Sequence, residues 1–237
     1  PRSHPIIVSG GETAVINTIN GFEMGITATG YVKKGHEICQ KAVPGDIVIG
    51  IASNGPHSNG YSFLREEFFD LRDRNIEFDV LPWGKTIGEE LTRPTAVYLP
   101  ALKALIQGLT KDGERANEHI HGMVHITGGG LSKLRELIAE SSDTNIEIRR
   151  DHGLPVQNIF EYVQREFSVP PEKMYERFNN GVGYVMAVSS SKVDDALELL
   201  RRNLTGPAKA AEVIGEVKRG SGKVIIESQY DQTNVEF

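Results

Sequence analysis

The sequence predicts a mixed α and β fold (class α+β), in which a sheet is flanked by helices. Short apolar runs with the period of a strand recur along the chain, and segments with apolar residues at helical spacing lie between them. Polar, glycine-containing loops separate the two kinds of segment. With 237 residues, the chain is long enough for one large domain, or for one domain and part of another.

The composition argues against several classes of protein. The chain has 26 Lys and Arg residues against 32 Asp and Glu residues, a net charge of -6, whereas a nucleic-acid binder needs a basic face. No segment approaches the length of a membrane span, and residues 1–5 lack the regions of a signal peptide. The single cysteine, Cys39, excludes an internal disulfide and a multi-cysteine metal site within one chain. We therefore expect a cytoplasmic protein that binds neither nucleic acid nor membrane.

Two strands are predicted ahead of a turn at Pro44-Gly45-Asp46. Residues 6–9 are a short apolar run, and residues 22–32 alternate between apolar residues and polar or small ones, which is the period of a half-buried strand. We place a domain boundary at the turn, so that residues 1–44 belong to one domain and residues 45–237 to a second.

Strands and helices alternate in the second domain. Strands are predicted at residues 47–52, 119–126, 145–149, 184–188, 211–217 and 223–227. Helices are predicted near residues 61–71, 98–109, 131–138 and 156–163, from residue 170 onward, and at 193–204. Ser191 is expected to cap the last of these helices.

Three glycine-bearing loops follow predicted strands, at residues 10–13, 53–61 and 125–130. Glycines allow backbone N–H groups to approach an anion closely, and the start of a helix adds unpaired donors. Phosphate binding is therefore one interpretation of these loops. Their spacing is not that of a Walker loop or of a dinucleotide fingerprint, and the alternative is that the glycines act only as hinges.

Two histidines, His57 and His125, flank two of these loops and are the candidate catalytic residues, because an imidazole can donate or accept a proton near neutral pH. The alternative is that each ring bonds only to the backbone. His119, His121 and His125 also alternate along a predicted strand and could form a metal-binding face with His152. No carboxylate or cysteine at ligand spacing supports that metal site.

Glu12 is the candidate metal ligand, because it is the carboxylate embedded in a glycine turn and magnesium is commonly held beside a phosphate-binding loop. The alternative is that it caps the amides of its own turn. The sequence contains no Gly-x-Ser-x-Gly elbow and no cysteine beside a histidine, so covalent hydrolase mechanisms have no local support.

Residues 45–62, Gly-Asp-Ile-Val-Ile-Gly-Ile-Ala-Ser-Asn-Gly-Pro-His-Ser-Asn-Gly-Tyr-Ser, resemble the signature of the phosphoribosylformylglycinamidine cyclo-ligase family, also called aminoimidazole ribonucleotide synthetases. Residues 10–14, 125–131 and 174–183 are similar to three further motifs of that family, in the same order, and residues 94–98 and 214–217 also fit. The resemblance extends over nearly the whole chain.

The resemblance implies a synthetase-like C-terminal domain that acts in purine biosynthesis. It implies ATP and Mg²⁺ as cofactors, a small-molecule ribonucleotide as substrate, and a homodimer. The nucleotide would contact Gly10, Gly11, Glu12 and Thr13, with Glu12 on the metal, and His57 and His125 would serve the reacting amidine. The implied substrate-binding residues are Ser53, Gly55, Ser58, Asn59, Gly60, Thr127, Gly128, Gly129, Gly130 and Asn179.

The sequence also departs from the family pattern. It starts just before the Gly-Gly-Glu-Thr motif, so we expect most of the ATP-binding half to be missing and these residues alone to be inactive. Residues 15–20, 134–135 and Asn180 differ from the commoner family residues. Two alternatives follow: a related ATP-dependent enzyme of the selenophosphate synthetase, thiamine-monophosphate kinase or hydrogenase-maturation type, or a non-catalytic dimerisation module.

Overall fold

The computed structural model describes residues 7, 9–13, 21, 24–110, 114–139 and 143–237. The chain divides into two units after Glu37. In the first unit no described residue belongs to a helix or a strand. The strand predicted at residues 22–32 is therefore wrong for residues 24–32, because an alternating run forms a strand only when it has a partner to pair with. The strand predicted at residues 6–9 lies partly outside the described residues.

The second unit contains a seven-stranded sheet with helices packed on it. The strands are β1 (Ile47–Ala52), β2 (Ile120–His125), β3 (Thr144–Ile148), β4 (Val182–Val188), β5 (Ala211–Arg219), β6 (Val224–Glu227) and β7 (Asn234–Glu236). The α-helices are α1 (Tyr61–Arg65), α2 (Ile87–Leu91), α3 (Leu99–Leu109), α4 (Asn158–Glu166), α5 (Pro171–Arg177) and α6 (Val193–Asn203). A π-helical turn, Glu66–Asp70, continues α1, and 3₁₀ helices lie at Ala116–Glu118, Gly130–Ile138 and Ser190–Lys192.

The strand order in the sheet is β2-β4-β1-β5-β3-β6-β7. Strand β1 lies between β4 and β5 and is antiparallel to both, while β3 and β6 form a parallel pair. A strand with neighbours on both sides and helices on both faces is buried throughout, which explains the uninterrupted apolar sequence of β1. The predicted mixed α and β class is confirmed.

Successive side chains of β1 point to opposite faces of the sheet. Ile49 and Ile51 pack with α3 and α6 on one face, and Val48 packs with the 3₁₀ helix Gly130–Ile138 on the other. Helices α1, α2, α4 and α5 pack around Phe68 and Phe160 in a separate apolar cluster. This cluster supports the loop that follows β1. Within the described ranges, the helices are too short or too polar to span a bilayer.

Several elements of the second unit differ from the predictions, and α2 was not predicted at all. Residues 130–138 form a 3₁₀ helix, whose period of three suits the buried Leu131, Leu134 and Leu137. Ser191 does not cap α6: the capping position is Lys192, and the Ser191 hydroxyl lies 3.0 Å from that of Ser189. Strand β7 has only three residues and was not predicted, because its apolar signal is a single buried valine.

A short segment before the turn covers one edge of the sheet. The Gln40 side chain pairs with the backbone of Met123 in β2: Nε2 donates to the carbonyl at 2.7 Å, and Oε1 accepts from the amide at 3.0 Å. The Lys41 amide donates to the carbonyl of His121 at 2.7 Å. The segment thereby satisfies backbone groups that an open edge strand would expose.

The turn at residues 44–46 is tied to the same edge through a buried carboxylate. Asp46 is 3% exposed, and its two carboxylate oxygens lie 2.9 and 2.8 Å from Nδ1 of His121. One oxygen also accepts a hydrogen bond from the amide of Val43 at 2.9 Å. The hydrogen bond to Asp46 raises the pKa of His121 above its ordinary value of 6.5, against the effect of burial.

This pair predicts a pH-dependent contribution to stability. Because the pKa of His121 is raised in the folded protein, the contribution is complete below pH 6.5 and is lost as the pH rises through the raised pKa. Asp46→Asn should lower the free energy of unfolding by about 1–3 kcal/mol near pH 6 and by clearly less near pH 9. Urea unfolding of both proteins at the two pH values measures this. An equal difference at both would contradict the assignment.

Candidate functional site

The loop at residues 53–60 follows β1, an interior strand of the sheet. It is tightly wound, since Gly55, His57 and Gly60 have φ angles of 90°, 57° and 70°. A positive φ is uncommon for a residue other than glycine, so the His57 backbone must be held by its surroundings. The side chain of His57 is buried and that of Ser58 is exposed. Most of this predicted site loop is therefore internal structure, and a small part of it faces outward.

The His57 ring closes the loop on itself. Its Nε2 accepts a hydrogen bond from the amide of Asn54 at 2.8 Å and another from the amide of Ala96 at 3.3 Å. The proton of a neutral ring must then reside on Nδ1, which is buried and has no partner among the described residues. Burial first, and then His125 and Arg93, lower the pKa of His57 to about 4. Near neutral pH, this ring is an uncharged hydrogen-bond donor.

Asn179, which follows α5, ties its own turn to the loop that follows β1. Its side-chain nitrogen lies 3.0 Å from the carbonyl oxygen of Gly55, 3.1 Å from that of Pro56 and 3.2 Å from Oδ1 of Asn59. Its oxygen accepts from the amide of Gly181 at 3.0 Å. Asn179 is completely buried, so its contacts in this structure hold the loop together. Its predicted contact with substrate stays a prediction.

The loop at residues 127–130 lies against the first one. The Asn59 side-chain amide donates a hydrogen bond to the carbonyl of Thr127. Gly129 and Gly130 have φ angles of 93° and 53°. A Cβ atom at Gly130 would lie 2.4 Å from the carbonyl oxygen of Tyr175, so only glycine allows this close approach of two backbones. Gly128 and Gly129 remain exposed.

An open cleft of about 630 Å³ is bordered by both loops, by α1 and by α5. It combines two glycine-rich backbone segments with cationic and anionic side chains. Its lining residues are Ser58, Gly60, Tyr61, Ser62, Phe63, Glu66, Gly128, Gly129, Lys173, Glu176 and Arg177. Cations beside exposed glycine amides suit a phosphorylated ligand.

The predicted substrate residues divide into two groups in this structure. Ser58, Gly60, Gly128 and Gly129 line the cleft. The others do not line it and lie in the supporting loops, and these are Ser53, Gly55, Asn59, Thr127, Gly130 and Asn179. Lys173 and Arg177 were missed, because charged residues on a helix ordinarily indicate a solvated face.

Sequence reasoning also missed Gln157, the residue before α4. Its side-chain oxygen accepts from the amide of Gly55 at 2.8 Å, and its nitrogen donates to the carbonyl of Ser53 at 2.7 Å. The side chain therefore bridges the start of the loop as a neighbouring strand would. Gln157 is 102 residues from Gly55, and no local pattern marks it.

The two candidate catalytic histidines lie close together. The ring centres of His57 and His125 are 6.4 Å apart, and His125 stacks on Tyr184 at 5.8 Å. Burial and then Lys133 lower the pKa of His125. Within the described part of the chain, the buried side-chain atoms without a hydrogen-bond partner are Ser53 Oγ, His57 Nδ1 and His125 Nε2. Ser53 and His57 belong to the first loop and His125 is the last residue of β2, and a polar ligand group would satisfy these atoms.

The alternative metal face is not formed. His119 pairs with Glu114 at 3.1 Å and His121 with Asp46, while the Nδ1 of His152 accepts from the amide of Leu154 at 3.2 Å. The described residues contain no group of three or more metal-ligating side chains. Residues 10–13, with Glu12, lie in the first unit without helix or strand, and their roles remain predictions.

The ring geometry predicts an NMR signature for His57. With both amides donating to Nε2, the ring should show the Nδ1–H tautomer and should not titrate between about pH 5.5 and pH 8, because burial disfavours its charged form. Long-range ¹H–¹⁵N spectra of ¹⁵N-histidine-labelled protein measure both properties. An Nε2–H tautomer, or a titration near pH 6.5, would show that the two amide bonds are absent in solution.

Sequence comparison finds relatives whose similarity extends over most of the chain. A phosphoribosylformylglycinamidine cyclo-ligase from Alkaliphilus metalliredigens is 33% identical over 226 residues, which are 92% of this chain and 59% of the relative. One from Thermococcus kodakarensis is 38% identical over 217 residues, which are 91% of this chain and 58% of the relative. The chain thus spans about three fifths of the length of these relatives.

Structure comparison and a family model agree with this result. A chain in the crystal structure of the HypE–HypF complex superposes with a TM-score of 0.51 at 26% identity, covering 82% of this chain and 53% of that one. The model of the family described as AIR synthase related protein, C-terminal domain, matches residues 43–227. The resemblance predicted from the four motifs is confirmed, and the chain belongs to the AIR synthase related protein C-terminal domain family.

Proposed function

We propose that this chain contributes the substrate cleft of an ATP-dependent cyclo-ligase, which converts formylglycinamidine ribonucleotide to aminoimidazole ribonucleotide. The observation that carries the proposal is the meeting of three predicted motifs in one place. The loops at residues 53–60, 127–130 and 179–181 are joined by the amides of Asn59 and Asn179. The first two loops border a cleft that has cations for a phosphate, and two neutral histidines lie in or next to these loops.

The reaction has two steps that place different demands on the protein. ATP first transfers its γ-phosphoryl group to the formyl oxygen of the substrate, and ADP leaves. A nitrogen of the same substrate then attacks the formyl carbon, the carbon–oxygen bond breaks and phosphate leaves with that oxygen, while the nitrogen loses a proton. Charge develops on the formyl oxygen and on the attacking nitrogen. Neutral hydrogen-bond donors and acceptors that are already in position beside these atoms therefore lower the activation barrier.

The two histidines suit different steps of this reaction. In His57 the Nε2 lone pair is occupied by two amides, so only the Nδ1–H group is available, as a hydrogen-bond donor to an oxygen. His125 has no described bond at Nε2, and its lowered pKa keeps it neutral near pH 7. We assign His57 to the formyl oxygen and His125 to the proton of the attacking nitrogen.

The nucleotide and magnesium would be held in part by residues 10–13. Magnesium in proteins keeps several waters and takes one or two carboxylates together with phosphate oxygens, so the Glu12 carboxylate fits as one ligand. The amides of Gly10, Gly11 and Thr13 fit as phosphate donors, because the two glycines leave room beside the backbone. The metal would screen phosphate charge. A homodimer in the cytoplasm completes the proposal and rests on the family resemblance.

An assay of the full-length protein tests this proposal. ADP release should depend on formylglycinamidine ribonucleotide, and aminoimidazole ribonucleotide should form in equal amount. A Cβ atom at Gly128 meets nothing within 4 Å, so Gly128→Val should fold normally while its side chain obstructs the cleft and lowers kcat/KM about tenfold or more.

Two results would overturn the assignment. ADP release that does not respond to this substrate, but responds to thiamine monophosphate, would favour another enzyme of the superfamily. The likeness to HypE at 26% identity makes that the second candidate. Full activity of Gly128→Val would exclude the cleft as the substrate site.

A further inference from the structure

We propose that Arg93, anchored by the buried carboxylate of Glu90, is a positioning residue that holds Asn54 and thereby sets the orientation and tautomer of His57. The inference rests on the proposed function, because it assigns His57 a role in the reaction. None of the motifs that carry the family resemblance includes Glu90 or Arg93, and the geometry alone brings them to the site.

Glu90 is an unusual carboxylate because it is only 2% exposed. It lies on α2, where Trp83 Nε1 donates to its Oε2 at 3.1 Å and Arg93 Nη1 donates to its Oε1 at 2.7 Å. The ammonium of Lys85 lies 3.8 Å from Oε2. A buried carboxylate is costly unless it is paired and hydrogen bonded. Its partners therefore hold it in place, and it fixes the guanidinium of Arg93 in return.

The second arm of the Arg93 guanidinium reaches the loop after β1. Its Nη2 donates to Oδ1 of Asn54 at 2.7 Å, and a Cβ atom at Gly55 would lie 3.4 Å from Cδ of Arg93. The Asn54 side-chain nitrogen donates to the carbonyl of Pro94 at 3.1 Å. A planar guanidinium can donate to two acceptors in different directions at once. Arg93 thus clamps Asn54 between its own side chain and the following residue.

The clamp ends at the His57 ring. The amide of Asn54 donates to Nε2 of His57, and the amide of Ala96, three residues after Arg93, donates to the same atom. Both amides that fix the tautomer therefore belong to segments that Arg93 joins. The titratable and charged groups that act on the ring are His125, Tyr98 and Arg93. Arg93 is the only cation among them near neutral pH.

The test compares Arg93→Lys with wild type in the full-length protein. Lysine keeps the charge and most of the stem, so the variant should fold, but it lacks the planar fork whose two arms bond Glu90 and Asn54 separately. We expect kcat to fall about tenfold or more while KM changes less than about threefold. His57 should lose its single Nδ1–H signature in long-range ¹H–¹⁵N spectra and should titrate at a higher pH. Arg93→Met, which also removes the charge, should raise the pKa of His57 further.

Arg201→Lys is the matched control. Arg201 also bridges two acceptors, the carbonyl of Ala211 at 2.9 Å and the Glu212 carboxylate at 2.8 Å, and it has no described bond to the loop at residues 53–60. It should keep wild-type kcat and the His57 signature. An unchanged His57 signature in both Arg93 variants would overturn the proposal. Changes in kcat and in the His57 signature that are as large in Arg201→Lys as in Arg93→Lys would overturn it too. If wild type shows no cyclisation, the proposed function fails, and the spectra still decide the role of Arg93.

Discussion

Two backbone amides that share one imidazole nitrogen set the shape of this site. The amides of Asn54 and Ala96 both donate to Nε2 of His57, which lets a non-glycine residue keep a left-handed backbone inside the protein. Burying so many polar groups is costly unless each finds a partner. Gln157, Asn179 and Arg93 supply such partners from three other parts of the chain. Few side chains of the loop are left free to meet a ligand.

The fold explains why this loop can be so rigid. It follows β1, which is paired with a strand on each side, and its first residue, Ser53, donates its amide to the carbonyl of Gly181 at 2.8 Å. The turn at residues 179–181 precedes the neighbouring strand β4, and the loop at residues 127–130 follows β2, which also pairs with β4. Three adjacent strands therefore bring three polar motifs to one end of the sheet. Under the proposed function, a geometry held in this way would be in place before substrate arrives, which is what electrostatic stabilisation requires.

The sequence was sufficient for features that depend on local pattern. The apolar run predicted β1 as a buried strand. The family resemblance, carried by local motifs, assigned Gly60 and Gly128 to the substrate cleft, and both line the cleft in the structure. Prediction from the sequence failed where a structural element depends on partners that are distant in the chain. The alternation at residues 24–32 has no partner strand among the described residues, and β7 exists only through β6. Arg93 and Gln157 reach the loop across 39 and 102 residues, and no spacing rule anticipates such contacts.

Amide hydrogen exchange measures the rigidity of this loop directly. In the ligand-free protein, the amides of Asn54 and Gly55 are buried donors to His57 and Gln157, whereas Ser58 is exposed in the same loop. If the loop is held before ligand binds, the first two amides should exchange about a hundredfold or more slowly than that of Ser58, because exchange then requires a cooperative opening. Similar rates at all three positions would contradict a preformed site.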